Sequence, residues 1–244
     1  MKKITLALIA FMMVVGAIAQ TDSTRRSSKK ILVVPYPGMM YFSDADADLS
    51  RFSKMDEQRL RSQMRLMLEK DVHHQLLAAF DAVSLVSATS LNGEEDLKRI
   101  YAATQFFTSN AISAQKKGIF SSNLFRKKEK KQAFYVNDSA TMVGEIQDPN
   151  LNSELYKKHH HDYTLYLTQF EINTSNKNSI EWMKQQYTRT YAVHYNLWDN
   201  KGKLVLAETL TINAGGENEL KVINEKYMAL MAEKLKEILS ASIK

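Results

Sequence analysis

Apolar residues recur at two different periods along this chain, and each change of period marks an element. Strict alternation runs through Asp162–Thr174, Thr188–Trp198 and Lys203–Asn213. In the first, Tyr163, Leu165 and Leu167 alternate with Thr164, Tyr166 and Thr168, with Phe170 and Ile172 continuing on that second side. In the second, Tyr191, Val193, Tyr195 and Leu197 face away from Thr190, Ala192, His194 and Asn196. In the third, Leu204, Leu206, Leu210 and Ile212 oppose Lys203, Thr209 and Thr211. Such alternation predicts antiparallel strands with one face in the core and the other wet. Asp199-Asn200-Lys201-Gly202 supplies the turn for a hairpin between the last two. The outward residues show no convergent chemistry, so the sheet reads as scaffold and His194 as structural or solvated.

A helical period appears elsewhere. Leu60, Met64, Met67, Leu68, Val72, Leu76 and Phe80 recur at three- and four-residue spacing and predict a helix over Asp56–Phe80. His73 and His74 lie in it, about 100° apart around the axis, which is wrong for chelating one metal. Leu97, Ile100, Tyr101, Phe107, Ala111 and Ile112 predict a second helix over Glu94–Ala114. Asp148-Pro149 opens a short one carrying Leu151 and Leu155, because aspartate caps well and proline suits the first helical position. The last helix, Glu217–Ser240, bears Leu220, Ile223, Tyr227, Leu230, Met231, Leu235, Ile238 and Leu239.

The continuous run Ile31-Leu32-Val33-Val34, stopped by Pro35-Tyr36-Pro37-Gly38, predicts a central strand buried on both faces. Val83–Val86 gives a second strand after the first helix, and Ala133–Val136 a short edge strand. The expected fold is therefore α/β (α+β). It has a mixed sheet with a parallel βαβ start, an antiparallel three-strand meander, helices packed on it and a C-terminal amphipathic helix. Residues 31–244 read as one domain with a basic insertion at about 115–135, preceded by a flexible leader at 20–30.

The first residues change the picture of where the chain works. Met1-Lys2-Lys3, the apolar run Ile4–Ala19 and the small-residue exit Ala17-Ile18-Ala19 predict a secretory signal peptide at 1–19. Its removal takes Lys2 and Lys3 and no acid, reducing the net charge of +6 to +4. The chain has no cysteine, which excludes disulfides, thiolate metal sites and a lipidated N-terminal cysteine. Export without cysteine suits a Gram-negative periplasm or outer-membrane surface. No transmembrane span is expected in the mature chain. Local basic patches then point to envelope components, not nucleic acid.

Candidate chemistry is sparse. Asp44, Asp46 and Asp48 sit at alternate positions, as in the opening of a calcium loop. However, Leu49 and Met55 stand where such a loop needs glycine and glutamate, so a solvated acidic loop or helix cap is the competing reading. His159, His160 and His161 are too close in sequence to converge on one ion from regular structure. His159 with Asp162 or Tyr163 at a helix end is the remaining metal candidate, with His161 beside it. Lys116, Lys117, Arg126, Lys127, Lys128, Lys130 and Lys131 bracket Ile119, Phe120, Leu124 and Phe125. This segment either lies on an anionic surface or partner, or is a solvated helix end. There is no Gly-x-Ser-x-Gly, no His-Glu-x-x-His and no phosphate loop.

The opening strand Ile31–Pro35, the passage His161–Leu167 and the hairpin Tyr191–Thr209 give a layout that resembles a known α/β domain. That domain is shared by the curli-secretion channel, the lipoprotein activators of penicillin-binding proteins and the N-terminal part of TolB. Pro37…Tyr41-Phe42-Ser43-Asp44-Ala45-Asp46 is similar to the start of a family of exported bacterial proteins without an assigned function. The resemblance implies the fold and an envelope setting, and supplies no catalytic residue or cofactor. The expected function is a non-enzymatic exported accessory protein that binds a protein or the envelope surface. The alternatives are a self-assembling secretion component, hence a homo-oligomer, a hydrolase without a motif, or a metal or calcium binder.

Overall fold

The computed structural model describes residues 27–86, 93–109, 140–175 and 187–243. Strand β1 (Lys30–Val34) lies between β3 (Asp81–Ser84) and β6 (Tyr163–Thr174), parallel to both. Being central, it can bury side chains on either face, which is why Ile31, Leu32, Val33 and Val34 form one unbroken apolar run. The sheet continues antiparallel through β7 (Arg189–Asp199) to β8 (Leu204–Ala214), in the order β3-β1-β6-β7-β8. At Pro35 the chain leaves the sheet. After a 3-10 turn at Gly38–Met40 it returns as β2 (Tyr41–Ser43), alongside the part of β6 that β1 does not reach. The leader is shorter than expected: Ser27 donates its N–H to the Ala79 carbonyl at 2.8 Å, and Lys30 already belongs to β1.

Two helices precede β3. The acidic segment forms α1 (Asp46–Ser53), followed by α2 (Glu57–Leu77). Asp56 caps α2, its carboxylate accepting the Arg59 N–H at 2.8 Å, and Leu60, Met64, Leu68, Val72 and Leu76 bury its inner stripe. With α6 (Ala229–Ser242) it covers the first face of the sheet, against Ile31, Val33, Leu165, Tyr191, Val193 and Tyr195. The expected C-terminal helix is not continuous in phase. A short α5 (Leu220–Ile223) passes through a π-helical stretch, Asn224–Met228, into α6. The wider turn slips the stripe, so Met228 is buried and Leu230, expected inside, is 38% exposed.

A β-bulge corrects the reading of β6. The register against β7 shifts between Leu167 and Gln169, so Thr168 is the extra residue. Phe170 and Ile172 thereby join Leu165 and Leu167 in the first-face core, instead of lying with Thr164. Alternation alone has no way to register an inserted residue, since one bulge inverts every later assignment.

The second face is covered as well. Helix α3 (Gly93–Ala103) and α4 (Pro149–His159) pack Leu97, Ile100, Leu151 and Leu155 onto Leu32, Val34 and Tyr166. The expected helix to Ala114 stops at Ala103. Thr104–Thr108 is strand β4, paired antiparallel with β5 (Met142–Ile146). Thr104, Phe106, Phe107 and Thr108 are β-branched or aromatic, and such residues favour a strand once a partner is present. The expected edge strand at Ala133–Val136 lies outside the described residues. The hairpin turn forms as anticipated, with Asp199 accepting from the N–H groups of Lys201 and Lys203 and Gly202 at φ 74. Among the described residues no helix is long and apolar enough to cross a membrane.

Candidate functional site

The face expected to be wet carries a buried polar network. Strand β5 lays its free edge across β6 and β7, and an uncovered edge carries unpaired backbone groups. Here side chains satisfy them. The Met142 N–H donates to His194 Nδ1 at 3.0 Å and the Gly144 N–H to Asn196 Oδ1 at 2.7 Å, while the Thr168 hydroxyl donates to the Met142 carbonyl at 2.7 Å. Thr168, His194 and Asn196 are all buried. Glycine at 144 permits this approach: a Cβ there would stand 3.1 Å from both Phe106 Cε1 and Thr168 Cγ2. Gly144→Val is expected to destabilise the fold by about 2–3 kcal/mol in urea unfolding, because the backbone must lift off the sheet.

His194 joins more than the ribbon. A backbone N–H can only donate, so Nδ1 is the acceptor and Nε2 carries the proton, which it donates to Glu171 Oε1 at 3.1 Å. The Thr209 hydroxyl also donates to Nδ1, at 3.0 Å. Burial pushes the Glu171 carboxyl up, but hydrogen bonds from His194, Asn173 and Gln169 outweigh it and hold the group below its ordinary value. Thr209, His194 and Glu171 thus have the connectivity of a nucleophile, a base and an orienting acid. The Met142 N–H occupies the same lone pair that would take the threonine proton. Protonating Nδ1 would set two N–H groups against each other and release the ribbon, so the arrangement is built to hold β5.

The acidic residues are separated by their partners. Asp44 accepts from the Thr174 N–H at 3.0 Å and its hydroxyl at 2.7 Å. Asp46 is turned inward, accepting from the Tyr41 hydroxyl at 2.8 Å and Arg61 Nε at 2.9 Å. Asp48 accepts from Arg51 at 3.0 Å and stands 3.8 Å from the buried Arg189. His159 pairs with Asp96 of α3 at 3.0 Å, where Lys158 also binds, and not with Asp162, which accepts the Lys30 N–H at 2.9 Å. Among the described residues no group of three histidines, aspartates or glutamates is placed to hold a metal. Lys116, Lys117, Arg126, Lys127, Lys128, Lys130 and Lys131 lie outside the described residues.

The histidine run instead leads to a cleft. His160 ends α4 in the left-handed region at φ 49, its N–H on the Tyr156 carbonyl at 2.7 Å, and this turn places His161 inside. His161 is 4% exposed, packs edge-on to Tyr156, and its Nδ1 has no partner among the described residues. Burial lowers its pKa to about 4, assisted by the neighbouring charges of His159 and Lys30 and opposed by Asp162. It lines a small cleft with a cavity volume of about 50 Å3, between the end of β5, the first turns of α4 and the β7–β8 turn. Glu145, Asn152, Thr164, Trp198 and Asn200 share its wall. No motif or spacing marks these residues as a site. The one available signal was parity, which puts Trp198 on the polar side of its strand with His194 and Asn196.

No protein-family profile matches the sequence, and no curated protein is significantly similar to it. Among solved structures, a hypothetical protein of Chlamydia trachomatis aligns over 88% of this chain and 95% of its own, at 13% identity and a TM-score of 0.39. A lipoprotein of Neisseria meningitidis aligns over 86% of this chain and 99% of its own, at 12% identity and a TM-score of 0.34. At those values the likenesses carry no functional argument.

Proposed function

We propose that this protein is a non-enzymatic, exported component of a bacterial cell envelope that works by binding another envelope constituent. The signal-peptide pattern at 1–19 supplies the compartment. The observation that carries the binding reading is the cleft at His161. Among the described residues, the side chains of Asn152, Thr164 and Asn200 and the indole N–H of Trp198 make no hydrogen bond. A concave wall with several unpaired donors and acceptors is what a recognition site offers. The non-enzymatic part is supported by His194, whose accepting nitrogen is committed to the Met142 backbone.

The test is fractionation of cells producing a C-terminally tagged chain. The tagged protein is expected in the periplasmic or outer-membrane fraction, shortened to begin at Gln20 by N-terminal sequencing. Full-length protein in the cytoplasm would overturn the assignment.

A further inference from the structure

The cleft at His161 has a chemistry specific enough to name its ligand class. Among the described residues its wall contains no lysine or arginine, and Glu145 and Asp199 contribute negative charge. A phosphate or carboxylate would enter without a cation to meet it, at the expense of its hydration. A purely apolar ligand would strand the polar side chains that line the wall. What remains is an uncharged molecule with one apolar face and an edge rich in hydroxyls. We propose that the cleft binds a neutral sugar unit of an envelope glycan, with the half-buried Trp198 as the platform for its ring.

Each part of a pyranose has a counterpart. The C–H face of the ring suits the indole, an apolar surface carrying a polar tip. Sugar hydroxyls both donate and accept, and so need a mixed set of partners. Asn152 and Asn200 offer both kinds of group, Thr164 a hydroxyl, and Glu145 a carboxylate that accepts only. His161 lies in the same wall with its Nδ1 unpaired, and the neutral imidazole adds no charge to the site. The cleft, at about 50 Å3, is too small to take in a ring. It takes one hydroxyl group or a bridging water or two, while the ring rests at its mouth against Trp198.

This inference rests on the envelope reading for where a glycan would be met, but the binding is measurable on purified protein. The chain has two tryptophans, so Trp182→Phe leaves Trp198 as the sole reporter. Its fluorescence is followed during titration with the β-1,4-linked tetramer of N-acetylglucosamine, with maltotetraose and with inorganic phosphate. One or both sugars are expected to give a saturable change, and phosphate none. Asn200→Ala, at an exposed turn position, is expected to weaken binding about tenfold with its unfolding midpoint unchanged. Trp198→Ala, followed by saturation-transfer NMR on the sugar protons, is expected to abolish it.

A flat titration with both sugars, a phosphate signal equal to the sugar signal, or sugar binding that survives both substitutions overturns the glycan assignment. Should the sugars fail while the protein still fractionates with the envelope, only the ligand class is lost. Should the protein prove cytoplasmic, the envelope reading fails whatever the cleft binds.

Discussion

Lowering the pH from 7 to 4.5 is expected to cost the wild-type chain about 2 kcal/mol more unfolding free energy than it costs a His161→Gln variant. The imidazole of His161 titrates near pH 4 in the folded protein, against an ordinary value of 6.5. Between those values the unfolded chain takes up a proton that the folded chain refuses. The unfolded state then binds more protons, so stability rises with pH across this window and falls as the pH drops from about 6.5 towards 4. Above the window His161 is neutral in both states and contributes no slope.

Glutamine carries no titratable group, so the variant lacks this component. Other acids titrate nearby. Glu171, held low by its hydrogen bonds, adds a loss of stability on acidification, whereas burial raises Glu69 and makes it act in the opposite sense. Both are present in the two proteins and cancel in the difference. Urea unfolding followed by circular dichroism at the two pH values measures it. Parallel pH profiles would mean that His161 is not held neutral by its burial.

His194→Leu is expected to destabilise the protein by about 3 kcal/mol and to free the ribbon before the rest of the fold. Leucine fills similar space but accepts nothing. The Met142 N–H and the Thr209 hydroxyl each lose an acceptor, and Glu171 loses a donor that holds its charge. Hydrogen exchange at Met142 and Gly144 should accelerate at least tenfold relative to amides in the middle of α2, which make their hydrogen bonds within the helix. Asn196→Leu should act on the same ribbon. The double variant should then be less destabilised than the two single losses summed, because an already released strand cannot be released again. Strict additivity would mean that the two side chains hold β5 independently.

These effects arise on the face that the alternation of β6, β7 and β8 marks as outward, and the reason is instructive. Thr168, His194 and Asn196 are polar, and polar alternation reads as solvent. They are instead the hydrogen-bonding counterpart of a second strand edge contributed by residues far away in the chain, Met142 and Gly144. A polar side chain on a strand has the same appearance whether its partner is water or backbone. Likewise, Phe107, Ala111 and Ile112 extend the helical spacing of Leu97 and Ile100 past the point where pairing with β5 turns the chain into β4. Both misreadings come from one source: a local pattern records which residues are apolar and omits what comes to meet them.

Local patterning was sufficient wherever an element's partner is dictated by its own periodicity. The unbroken run Ile31–Val34 required a central strand, the spacing from Leu60 to Leu76 required an amphipathic helix, and Asp199–Gly202 required a tight hairpin. Asp148-Pro149 capped its helix, with Asp148 accepting the Asn150 N–H at 2.9 Å. Each of these follows from short-range sterics and from the burial of one apolar stripe. Tertiary structure decided the rest: the bulge at Thr168, the π-helical slip before α6, the ribbon on the second face and the separate partners of Asp44, Asp46 and Asp48. It also placed His161 and Trp198, 37 positions apart in the chain, on the wall of one cleft. Hydrogen-bond satisfaction in a packed interior is a property of all the segments that meet there, and so it is written in no single stretch of the chain.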